Sequence, residues 1–143
     1  GGSAPVAMDG QHKFFRLKIS SSYISDPHLQ FMSANSLGKD DVVVAISQSG
    51  TTAALIESIK IVRKNGAKVI GIMPGDTPLA NICDFPLTIN VGSNNRISKP
   101  VTSRIAYTAV IDVLTMGVAQ LKPEAQDHLY NIADSQRSLK VDN

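Results

Sequence analysis

The stretch "DDVVVAISQSGTTAALIESIKIVRKNGAKVIGIM", residues 40–73, constrains the fold more than any other. It opens on a continuous β-branched run without apolar–polar alternation, which predicts a strand covered on both faces. "TAALIESIKIVRKNG" follows, with Leu55, Ile59 and Val62 on one side and Glu57, Lys60 and Lys64 toward the other. That is the pattern of an amphipathic helix, and Asn65-Gly66 stops it. "KVIGIM" is then a second buried strand.

The flanking sequence extends this order. "PVAMDGQHKFFRL" predicts a helix with Pro5 in its first turn, and "SSYIS" a short strand. "DPHLQFMSANSLG" predicts a helix with Asp26 as N-cap, Pro27 at the first helical position and Gly38 just past its end. After "KVIGIM" come a short helix in "TPLANIC", a third strand in "FPLTIN" and a polar loop, "VGSNNRISKP". "VTSRIAYTAVIDVLTMGVAQL" predicts a long helix with apolar residues nearly all round, so deep packing is expected. Past Pro123, "EAQDHLYNIADSQRSL" predicts a more polar final helix. The alternation predicts an α/β fold, a three-layer, doubly wound parallel sheet flanked by helices. Such a fold normally begins with a strand, whereas "GGSAPVAMD" reads as the second half of a strand–loop–helix junction. We therefore expect residues 1–143 to form one domain whose first strand is missing.

Composition narrows the function. The 143 residues are one domain's worth of chain, and a formal net charge of +2 is too weak to mark a nucleic-acid binder. The single cysteine, Cys83, excludes an internal disulfide and has no metal-ligand spacing; it is expected as a buried small hydrophobe. No apolar stretch approaches membrane-spanning length on this reading and no signal-peptide order is present, so a cytoplasmic domain without a membrane partner is expected.

"SQSGTT" carries the chemistry. In open parallel sheets, ligands sit outside the carboxyl ends of the strands, at helix N-termini. Gly50 can take a conformation that lets successive backbone N–H groups converge on an anion. The next helix adds its positive dipole end, and the hydroxyls add donors. A Walker A loop would need Gly-Lys-Ser/Thr, which is absent. The other reading is an ordinary N-cap, for which one hydroxyl suffices. Four hydroxyls in six residues, after a buried strand, favour a phosphate monoester.

In that setting residues 47–52 resemble the Ser-x-Ser-Gly-x-Thr signature of the SIS (sugar isomerase) domain, a flavodoxin-like phosphosugar-binding fold. "GGSA" resembles the tail of the family's other phosphosugar loop, Gly-x-Gly-x-Ser. The resemblance implies that Ser47, Ser49 and Thr52 bind phosphate and that Ser3 binds phosphate or a sugar oxygen. Gln48 would donate from its backbone or side chain, Gly50 would shape the turn, and Thr51 holds the variable position. No cofactor is implied.

SIS domains include both enzymes and sensors, and an isomerase needs a general base near C1 and C2. The loop "SNNRISKPVTSR", where enzymatic relatives often place an acid, has none. It offers Arg96, Lys99 and Arg104, which suit a second anionic group such as a sugar-acid carboxylate. Arg96 and Lys99 read equally as a solvated loop. Arg104, in the first turn of a helix, is expected to have a partner, ligand or structural. His12, His28 and His128 are lone histidines taken as structural or surface residues, although His128 could serve a neighbouring subunit as a base. "KFFRL" and "TSRIAYTAVIDVLTMGVAQL" further resemble the effector domain of RpiR-family transcriptional regulators. That resemblance implies a homodimeric or higher-order phosphosugar sensor, with 2-keto-3-deoxy-6-phosphogluconate as ligand. DNA would be contacted only through a helix-turn-helix domain outside these residues. The long apolar helix would be a dimer surface or a core helix. The alternative is an aldose–ketose phosphosugar isomerase.

Overall fold

The computed structural model describes residues 2–92 and 99–137. Helices α1 (Ala4–Arg16) and α2 (Pro27–Ser36) precede strand β1 (Val42–Ile46). Helix α3 (Ala53–Lys64), strand β2 (Lys68–Met73), a 3-10 turn (Ala80–Ile82) and strand β3 (Phe85–Thr88) follow. Helices α4 (Lys99–Leu121) and α5 (Pro123–Arg137) complete the described chain. The sheet has three parallel strands in the order β1-β2-β3. Pro86, which has no N–H to donate, lies on an edge strand, where it is tolerated.

Strand alternation sorts side chains into two cores. Ala45, Val69 and Met73 pack with Ala34 of α2 and Ile59 and Val62 of α3. Ile72, with Val44, Ile46 and Leu87, packs with Val6 of α1 and Tyr107 and Ile111 of α4. Three layers result, as expected. Gly10 lets α1 approach α4 closely: a Cβ there would lie 3.4 Å from Ile111. Lys13 ties the same two helices by ion pairs to Asp9, at 2.7 Å, and to Asp112. Burial pulls Lys13 down, but the two carboxylates outweigh it and hold the ammonium above its ordinary value.

Several expectations need correction. "SSYIS" forms no strand; it is tied down by helix side chains instead. Gln11 Nε2 donates to Ser21 O, Ser21 Oγ to Gln11 O, and Gln30 Nε2 to Ile24 O. "TPLANIC" tightens to one 3-10 turn, because the Thr77 hydroxyl accepts the Ala80 N–H and β3 begins soon after. Cys83 is half-buried rather than buried.

The long helix is not packed all round. Ser103, Tyr107, Ile111 and Thr115, spaced by four, form one buried stripe, whereas Ile105 and Val113 are each 69% exposed. The sheet and α1 cover one face of α4, and no described element covers the other. Val101–Leu121 also meets the length and apolarity needed to cross a membrane, with a mean hydropathy of 1.2, which overturns the statement that no stretch approaches that length. In this fold one stripe of it, through Tyr107 and Ile111, is buried against the sheet and α1, and 22% of the span is buried in all.

Candidate functional site

The β1–α3 loop is built around one left-handed residue. Ser47 continues the sheet by donating its N–H to Ile72 O at 3.0 Å, and its side chain is buried beneath the loop. Gly50 takes φ +64° and donates its N–H to Ser47 Oγ at 3.0 Å. The Thr51 N–H reaches Ser49 Oγ at 3.3 Å. Thr52 is the N-cap residue of α3, yet its hydroxyl accepts no bond from the helix. The loop is therefore not a simple cap: its hydroxyls shape the turn or face solvent. Having accepted from Gly50, Ser47 keeps its own O–H proton to donate.

A shallow open cleft, with enclosed room for about one water molecule, lies beside this loop. It is lined by Gly2, Ser3 and Val6, by Gln48, and by Ser103, Arg104 and Tyr107. A Cβ on Gly2 would sit 3.6 Å from Gln48 Oε1, so the two loops are in contact range. Ser3 precedes α1, its carbonyl accepting from Val6 and Ala7, and its hydroxyl caps nothing. Arg104 is exposed and forms no ion pair among the described residues. Burial raises the Tyr107 phenol above its ordinary value, so the ring meets the cleft uncharged.

The cleft lies at the N-terminus of α1, beside the second and third turns of α4, and at Gln48 of the loop that leads into α3. Neither α1 nor α3 has an acidic residue in its first turn. The partially positive end of α1 meets the hydroxyls of Ser3 and Ser103 and the Arg104 guanidinium there, an arrangement that suits an anion.

Of the sequence-derived residues, the structure brings Ser3, Gln48 and Arg104 to one cleft. Ser47, Ser49, Gly50, Thr51 and Thr52 form the adjoining loop. Lys99 begins α4, with its side chain outside the described atoms, and Arg96 lies outside the described residues. Sequence reading missed Val6, Ser103 and Tyr107. The available signal was Ser103 and Tyr107 four apart on a helix, flanking Arg104.

A family model for the SIS domain matches residues 1–117, and the chain belongs to that family. It is similar to the HTH-type transcriptional regulator HexR of Pseudomonas aeruginosa, at 39% identity over 136 residues and 94% of this chain. The chain spans 48% of that regulator's length. Among solved structures, the Vibrio vulnificus NanR protein complexed with ManNAc-6P superposes with a TM-score of 0.88 at 22% identity, covering 99% of this chain and 54% of that one. The sugar isomerase domain of an RpiR transcription factor from Sphaerobacter thermophilus gives 0.77 at 17% identity, over 94% and 74%. These two likenesses show the fold.

Proposed function

We propose that this domain senses a phosphorylated sugar and acts as the effector module of a bacterial, cytoplasmic transcriptional regulator of sugar catabolism. The carrying observation is the cleft at the N-terminus of α1, edged by Ser3, Gln48 and Arg104 and adjoining the hydroxyl loop that leads into α3. The described lining offers hydroxyl, amide, guanidinium and phenol groups, which suit binding an anion rather than abstracting a carbon-bound proton. Similarity to HexR supports the regulatory role, with DNA contacted by another part of the parent protein. Arg104 favours a ligand with a second negative group, and 2-keto-3-deoxy-6-phosphogluconate supplies a carboxylate besides its phosphate.

Ligand binding would act by selecting one arrangement of a pair of domains, with a coupling set by the difference in affinity for the two arrangements. The exposed face of α4, with Val101, Ile105, Val113 and Met116, is the proposed homodimer surface.

Calorimetric titration with 2-keto-3-deoxy-6-phosphogluconate, glucose 6-phosphate and fructose 6-phosphate tests the sensor reading, with Ser49→Ala as control. The expected result is binding of one sugar, weakened in the variant, with no conversion. Turnover of the sugar would replace this reading with an isomerase.

A further inference from the structure

The hydroxyl loop is held from outside as well as by its own hydroxyls. Gly50 presents its bare face to the segment after β2, where an added Cβ would lie 2.3 Å from Thr77 Oγ1 and 2.5 Å from Thr77 Cβ. Thr77 is buried and fixed at both ends of its hydroxyl, donating to Pro74 O at 3.1 Å and accepting from Ala80 N–H at 3.3 Å. Two residues on, the Leu79 N–H donates to Gly50 O at 3.1 Å. One segment therefore packs against the left-handed residue from the side and holds its carbonyl by a hydrogen bond. In this conformation the Gly50 N–H is bonded to Ser47 Oγ.

We propose that Thr77 is a positioning residue for the phosphate loop: it touches no ligand, and it holds Gly50 in the left-handed turn from which the loop's amides and hydroxyls meet the anion. The inference rests on the reading of Ser47–Thr52 as a phosphate cradle. The hydroxyl is the essential part, because it alone anchors the side chain to both Pro74 and Ala80. Thr77→Val keeps the shape and removes that anchor; Thr77→Ser keeps the anchor and removes one methyl group.

The test measures binding of 2-keto-3-deoxy-6-phosphogluconate and inorganic phosphate to the 143-residue chain by calorimetry, together with the Gly50 amide resonance in 1H–15N spectra, well below the melting temperature. The Val variant is expected to bind about tenfold more weakly, a loss of about 1.4 kcal/mol, and to shift the Gly50 resonance. The Ser variant is expected to stay within about threefold of the parent, about 0.65 kcal/mol, with the resonance in place. A Val variant that binds like the parent, or whose Gly50 resonance does not move, overturns the proposal. Failure of the parent chain itself to bind either probe overturns the phosphate-cradle reading, and this inference with it.

Discussion

The two ends of the sheet use the same backbone device under opposite conditions. At the amino end of β2, Gly66 ends α3 with φ +91°, and a Cβ there would meet nothing closer than 3.6 Å. Its neighbours are saturated: Asn65 Nδ2 donates to Ala34 O, and Asp84 accepts the Val69 N–H beside Arg63 and Lys68. At the carboxyl end of β1, Gly50 has φ +64° but is enclosed by Thr77. There the helix that follows begins without a side-chain cap. By contrast, Asp26 caps α2 fully, accepting from Leu29 N at 2.9 Å. A left-handed glycine therefore marks a turn at both ends. Of these two turns, the one at the carboxyl end leads into a helix that starts without a side-chain cap, which leaves amide donors for a ligand.

Gly50→Ala should do the most damage. The added methyl group meets Thr77 and the residue must also hold a positive φ, together costing about 3 kcal/mol. Thermal unfolding should register that loss, and phosphosugar binding should vanish in calorimetry. Retained binding would mean that the loop accepts another turn, and the two glycines would then be alike. Ser47→Ala comes next. It orphans the buried Gly50 N–H, at a cost of about 1–3 kcal/mol, and removes a donor from the anion. Affinity should fall at least about tenfold, and an unchanged affinity would confine Ser47 to a structural role.

Much of this was legible locally. The β-branched run of β1, the period of α3 and the Asp26 cap are each set by residues a few positions apart, and the structure reproduces them. The hydroxyl loop was legible for the same reason. Thr77, Ser103 and Tyr107 were not, because they reach the loop or its cleft only after β2 and α4 fold back onto β1. The exposed face of α4 escaped as well: an apolar period states that a face avoids water, not which partner covers it. "SSYIS" looked extended, but a strand needs a neighbour, and here side chains from α1 and α2 take its carbonyls.

Gly66→Ala sharpens the contrast from the other side. With Lys39 at ordinary van der Waals distance and nothing to clash, the substitution carries only the conformational cost of a positive φ, about 1 kcal/mol. The melting temperature should drop modestly, and phosphosugar affinity should match the parent. Weakened binding would show that the amino end is coupled to the site, contrary to the separation drawn above.

The smallest effect is expected at Asp84, whose carboxyl is held below its ordinary value. The Val69 N–H does most of this; burial opposes it, and Arg63 and Lys68 reinforce it. A group with a depressed folded-state value stabilises the fold above its unfolded value, and that contribution disappears as pH falls through the folded value. The charge on Asp84 should therefore help from about pH 4 upward and cease to matter in stronger acid. Asp84→Asn keeps an oxygen for the Val69 N–H while removing the charge. Its melting temperature should lie slightly below the parent's at pH 6, and the gap should close as pH approaches 2.5. A gap that stays constant across that range would assign the difference to side-chain packing or geometry rather than to the charge. At either pH, phosphosugar affinity measured on folded protein should not depend on this residue, because everything Asp84 holds lies at the end of the sheet that the protein has already satisfied.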